Sequence, residues 1–154
     1  MNGPTYVFVL GPVAVTVQRW EERFSELEAG ARVEVRRVEP SVGERDRPGA
    51  AGFRVLPVSE GGIWRADLFV VVDPPGREPR YHHHPRFAGG DVGPRVFDPE
   101  MAADPAGWTA ARLADLPALL VECGAAELAS AVGPGQVTEA LPAIRAAIEA
   151  SLTR

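Results

Sequence analysis

The sequence predicts an α+β fold: a mostly antiparallel sheet over the N-terminal two-thirds, packed with one N-terminal helix and a C-terminal helical segment. Three observations carry this. Runs rich in β-branched and aromatic residues come early, at residues 5–11, 32–39, 53–60 and 63–72. A Gly61-Gly62 pair separates the last two of these runs, as in a tight hairpin. Helix starts of the Asp-Pro type (Asp98-Pro99, Asp104-Pro105) and Ala/Leu-rich runs come late. The 154 residues show no repeat and no shift in composition, so they are expected to form a single domain, 1–154, large enough to bury a core.

Residues 5–11 (Thr-Tyr-Val-Phe-Val-Leu-Gly) read as the first strand. From Val17 to about Ala29, the residues Val17, Trp20, Phe24 and Leu27 form a stripe at helical spacing, with Thr16 as cap and Gly30 as stop. Residues 32–39 alternate, with Val33 and Val35 on one face and Arg32, Glu34 and Arg36 on the other, so a half-exposed strand is expected. Residues 41–52 are polar and contain Gly and Pro, which suits a surface loop. A Gly-Gly hairpin would pair Ser59 with Trp64, Pro57 with Ala66, Val55 with Leu68 and Phe53 with Val70, making that face the core. Arg65, Asp67 and Phe69 then share the opposite face. A Pro-rich loop follows, then Tyr81-His82-His83-His84-Pro85-Arg86-Phe87. In an extended segment Tyr81, His83, Pro85 and Phe87 take the core side, and His82, His84 and Arg86 the other. Residues 94–97 read as a short last strand. The helical third is expected as a short turn at 99–103, a helix from Pro105 to about Asp115, a continuation over 116–132, and a final helix at about 138–152. That last helix would bury Leu141, Ile144, Ile148 and Leu152.

Composition narrows the function. All 16 basic residues are arginine, which removes Schiff-base lysine chemistry, pyridoxal phosphate attachment and a lysine-containing phosphate loop. A net charge of −5 argues against a nucleic-acid partner. No apolar run approaches the roughly 18 residues of a membrane span, and the first residues lack the basic start of a secretory signal, so a cytoplasmic protein is expected. Cys123 is the single cysteine, expected as a small buried apolar residue.

The chemistry concentrates at the histidines, all three of which are consecutive. Only alternate strand residues share a face, so His82 and His84 are the pair that can act together, and His83 is a core residue. With one carboxylate from a neighbouring strand they form a facial set of two imidazoles and one acid, suited to a divalent metal with open positions. Asp67 is the leading third ligand, because it sits mid-strand on the charge-bearing face. Asp91, Asp98 and Glu100 are the alternatives. The pair is similar to the His-x-His of a cupin metal strand. The similarity covers those two residues alone, with no glutamate at short spacing and no later histidine, so neither fold nor chemistry follows from it. Without a metal, Asp67 or Asp91 could orient a histidine as a base, with Arg65, Arg80 or Arg86 holding an anionic substrate. A bland alternative pairs Asp67 with Arg65 and leaves His82 and His84 on an edge strand. Two functional readings result: a small-molecule-binding protein or enzyme with a divalent metal as optional cofactor, or a non-catalytic accessory protein that meets a protein partner through its acidic surface and helical third. The sequence specifies no oligomeric state.

Overall fold

The computed structural model describes residues 3–39 and 58–153. Five strands form one antiparallel sheet in chain order: β1 (Thr5–Leu10), β2 (Val13–Arg23), β3 (Leu27–Val38), β4 (Val58–Asp73) and β5 (His82–His84). The helices follow: α1 (Pro99–Ala103), α2 (Pro105–Ala114), α3 (Leu116–Glu122), α4 (Ala126–Ala129) and α5 (Pro134–Leu152). Strands first and helices last is the α+β order expected. None of the helices among the described residues is long and apolar enough to cross a membrane.

The expected N-terminal helix does not form. Residues 13–23 are β2, and a turn at 24–26 leads into β3, so that Arg23 pairs with Leu27. The helical stripe does not describe the burial. Val13, Val15 and Val17 are fully buried at a spacing of two, whereas Phe24 stands at the turn and is 79% exposed. Period-two burial of β-branched residues between two neighbouring strands outweighs a coincidental helical spacing. Thr16 is therefore a strand residue. Gly30 is a strand residue as well, where a Cβ would run into the Leu68 carbonyl of β4.

The Gly61-Gly62 hairpin does not form either. Both glycines lie inside β4, and neither has the positive φ a primed turn needs. Gly62 pairs with Arg36 beside a register irregularity, and the Phe87 ring covers it, so that a Cβ would meet the ring at 2.5 Å. A glycine in a strand here marks a bulge and a close approach. The pairings expected for Phe53, Val55 and Pro57 lie outside the described residues, as does the loop at 41–52. Ser59 lies on the same strand as Trp64, so those two do not pair across a turn. The face assignment nonetheless holds where it matters: Trp64, Ala66 and Leu68 are fully buried on one side of β4.

That side carries the core. Val15, Val17, Val33, Val35, Trp64 and Leu68 pack with Met101, Leu113, Leu116, Leu120, Ile144 and Ile148 from the helices. The helix starts use the side-chain caps expected: Asp98 Oδ1 accepts from the Glu100 amide, and Asp104 Oδ1 from the Gly107 amide. The long 116–132 helix is broken at Gly124, whose φ is +79°. The last helix begins earlier than expected, with Pro134 in its first turn, and continues through Pro142. Residues 94–97 form no strand, but Val96 exchanges two 2.9 Å backbone hydrogen bonds with His83. This strap brings Gly93, Arg95 and Phe97 over β5.

Candidate metal centre

The face of the sheet away from the helices is polar, and register decides which groups meet on it. Gln18, Arg32, Asp67 and His82 lie in one cross-strand row, and Thr16, Glu34, Arg65 and His84 in the next. Neighbouring side chains in such rows stand about 5 Å apart, within reach of one another. The β5 pairing therefore places His82 and His84 beside Asp67, while His83 points to the helix side. There it lies 5.0 Å from the Trp108 ring and 6.3 Å from that of Trp64. Burial lowers its pKa.

The three side chains converge. Asp67 Oδ2 is 3.5 Å from His82 Nε2 and 3.4 Å from His84 Nε2, and all three residues are buried. One donor atom from each lies within 4.8 Å of the others. The tautomers follow from the other ring nitrogens. His82 Nδ1 is 2.8 Å from the Arg80 carbonyl, and His84 Nδ1 is 3.2 Å from the Gly93 carbonyl. A carbonyl only accepts, so each Nδ1 carries a hydrogen, and a ring that ligates a metal would do so through Nε2. His82 Nε2 is buried with no hydrogen-bond partner. The two Nε2 atoms thus face Asp67 Oδ2 at separations longer than an ordinary hydrogen bond. Two ligand atoms each about 2.1 Å from one ion stand about 3.0–3.4 Å apart at octahedral or tetrahedral angles, close to the two Asp67–histidine spacings.

The charge of Asp67 is secured in the same way. Burial alone would raise its pKa, but His82, Arg32 and Arg65 outweigh that and hold it at about 2. Arg32 Nε donates to Asp67 Oδ1 at 2.8 Å, and its guanidinium lies 4.1 Å from the Trp20 ring centroid. His84 has a lowered pKa, chiefly through burial, which keeps it neutral and able to ligate. A cavity of about 310 Å³ opens beside the cluster, lined among others by Glu22, Arg32, Asp67, Phe69, His82 and Phe97.

Of the residues singled out in the sequence, Asp67, His82 and His84 come together. Arg65 stands in the His84 row, but it is held by Glu34 at 2.5–2.6 Å and faces the Phe87 ring, so it forms no pair with Asp67. Phe87 accordingly lies over Gly62 rather than on the core side expected for it. Arg86 is exposed and lies against Gly124, outside the cluster. Asp91 accepts from the Gly93 amide, and Asp98 caps α1 and accepts from Trp108 Nε1, so neither completes the triad. Glu100 is exposed in α1. Arg80 binds Glu26 and Glu28 and lends His82 its carbonyl. Sequence reasoning missed Arg32, Phe69, Arg95 and Phe97. The alternation Arg32-Val33-Glu34-Val35 announced a polar face, but only the register shows that Asp67 lies across from Arg32. No protein-family model, curated protein or solved structure matches the chain.

Proposed function

We propose that Asp67, His82 and His84 hold one divalent transition metal, and that the protein acts through it on a small molecule entering the cavity beside His82. The observation that carries this reading is the convergence of three buried side chains, each offering one ligand atom, with His82 Nε2 left without a hydrogen-bond partner. A buried polar atom without a partner is costly, and a cation at this point would supply one. The carbonyls of Arg80 and Gly93 at the two Nδ1 atoms support the same reading, because ligating histidines characteristically donate the remaining ring N–H to a carbonyl or carboxylate. Two imidazoles and one carboxylate suit Fe(II), Mn(II), Co(II) or Zn(II), and leave coordination positions open for a ligand. His82 and Asp67 line the cavity whereas His84 does not, so the open positions face the cavity through the first two. The recessed polar face supports a small-molecule protein over a non-catalytic accessory one.

The test is elemental analysis of protein purified without a polyhistidine tag, followed by titration of the stripped protein with each ion. About one equivalent should bind per chain, and His82→Ala, His84→Ala and Asp67→Ala should each weaken binding at least about tenfold. Folded wild-type protein that takes up none of these ions would remove the proposal.

A further inference from the structure

We infer that the ligand of this centre is a small carboxylate with an apolar body, its charged end at the metal beside Arg32 and its body against Phe24 and Phe97. The inference rests on the metal reading above and deepens it.

Charge comes first. In the triad the Asp67 carboxylate is already matched by Arg32, and imidazoles that ligate a metal are neutral. The charge of a bound divalent ion is therefore left uncompensated. Two of the acids lining the cavity, Glu26 and Glu28, do not supply the balance. Glu26 is held by Arg77 at 2.8 Å and by Arg80 at 3.0 Å, and Glu28 by Arg80 at 2.9 Å. Glu22 is turned to the Trp20 indole, whose N–H donates to it at 3.3 Å. Arg95 also lines the cavity and makes no ion pair or hydrogen bond among the described residues.

Geometry comes second. Among the described residues the one hydrogen bond of the Arg32 guanidinium is Nε to Asp67. Its two Nη groups keep their donors, and the guanidinium packs on the Trp20 ring, 4.1 Å from its centroid. A guanidinium packed on an aromatic ring, with free donors, is suited to a carboxylate rather than a neutral group. The same carboxylate can reach the open metal positions, because Arg32 and the metal share Asp67.

The apolar end comes third. Phe24 is 79% and Phe97 64% exposed, both lining the cavity, and Phe97 lies 5.5 Å from the His82 ring. Large aromatic side chains left open to water around a polar recess fit an apolar ligand body. The cavity, at about 310 Å³, is roughly twice the size of one that holds benzene, which leaves room for a ring and a carboxylate.

Cobalt(II)-loaded protein provides the test, because the visible spectrum of the ion reports its ligands. Benzoate, benzamide and acetate are the probes: the first two match in size and differ in charge, and acetate lacks the ring. Benzoate should change the spectrum and bind at least about tenfold more tightly than either of the others. Arg95→Gln should weaken benzoate at least about threefold at unchanged cobalt content. Cobalt that binds with no spectral response to benzoate overturns this inference and leaves the metal reading standing. So does benzamide or acetate binding as tightly as benzoate, or an Arg95→Gln protein indistinguishable from wild type. Failure of cobalt and of the other three ions to bind removes both.

Discussion

At the scale of the residue, two carboxylates among the described residues are taken out of water and each is compensated by arginine. Glu34 is held between Arg36 and Arg65, and Asp67 by Arg32 with the two histidines beyond. A buried acid stripped of such partners costs about 3–5 kcal/mol, so these pairings constrain which residues the polar face can carry. Cys123 shows the opposite case, a titratable group buried without compensation. Burial pushes its thiol up to about 11, and the nearby Arg112 offsets only part of this. Its thiolate is thus scarce at pH 8, about one part in a thousand, and grows only as the pH nears 11. Iodoacetamide at pH 8 should label native Cys123 at least about tenfold more slowly than the urea-unfolded chain; equal rates would contradict the burial. The same shift makes the folded state disfavour the charged thiolate, so its contribution to stability is present below pH 9 and is lost as pH rises toward 11. Strand parity around the histidines was legible at this scale, because alternation is a property of the backbone itself. The role of Arg32 was not, because its partner lies 35 residues away.

At the scale of the element, two glycine signals were read as punctuation and turned out to be matters of clearance. Gly30 was expected to stop a helix, but it lets β3 and β4 approach where Leu68 presents its carbonyl. Gly61-Gly62 was expected to turn the chain, but Gly62 makes room for Phe87 inside a strand of 16 residues. Local sequence cannot distinguish these uses, because a missing Cβ serves a turn and a close approach equally well. Gly30→Ala should therefore destabilise the sheet by about 1–3 kcal/mol, the range for forced overpacking, seen as a lower urea midpoint at unchanged slope. A midpoint equal to wild type would show that the strands part without strain. The late helices were read more accurately, since Asp caps and following prolines act within a single turn. α1 spans the expected residues, Pro99–Ala103, and α2 those expected to within one.

At the scale of the whole molecule, the helices cover one side of the sheet and leave the other for the polar rows. If the metal binds only the folded chain, it stabilises by mass action, about 2.7 kcal/mol at a hundredfold excess over Kd. For a chain of this size that corresponds to a Tm rise of roughly 5–10 °C. Melting with and without Co(II) should show the rise in wild type and its loss in the His82→Ala, His84→Ala double variant. An equal rise in both would place the ion elsewhere. The sequence by itself determined the α+β order, the helix starts, the core side of β4 and the split of the histidine run into His83 and the pair His82 and His84. Each of these is written in local periodicity or capping chemistry. Only the tertiary structure decided that residues 17–29 are strand and turn, that β4 runs through its glycines, and that Arg32, Asp67 and the two histidines share adjacent rows. The physical reason is that strand pairing joins residues distant in the chain, and register, which no single segment contains, selects the side chains that meet.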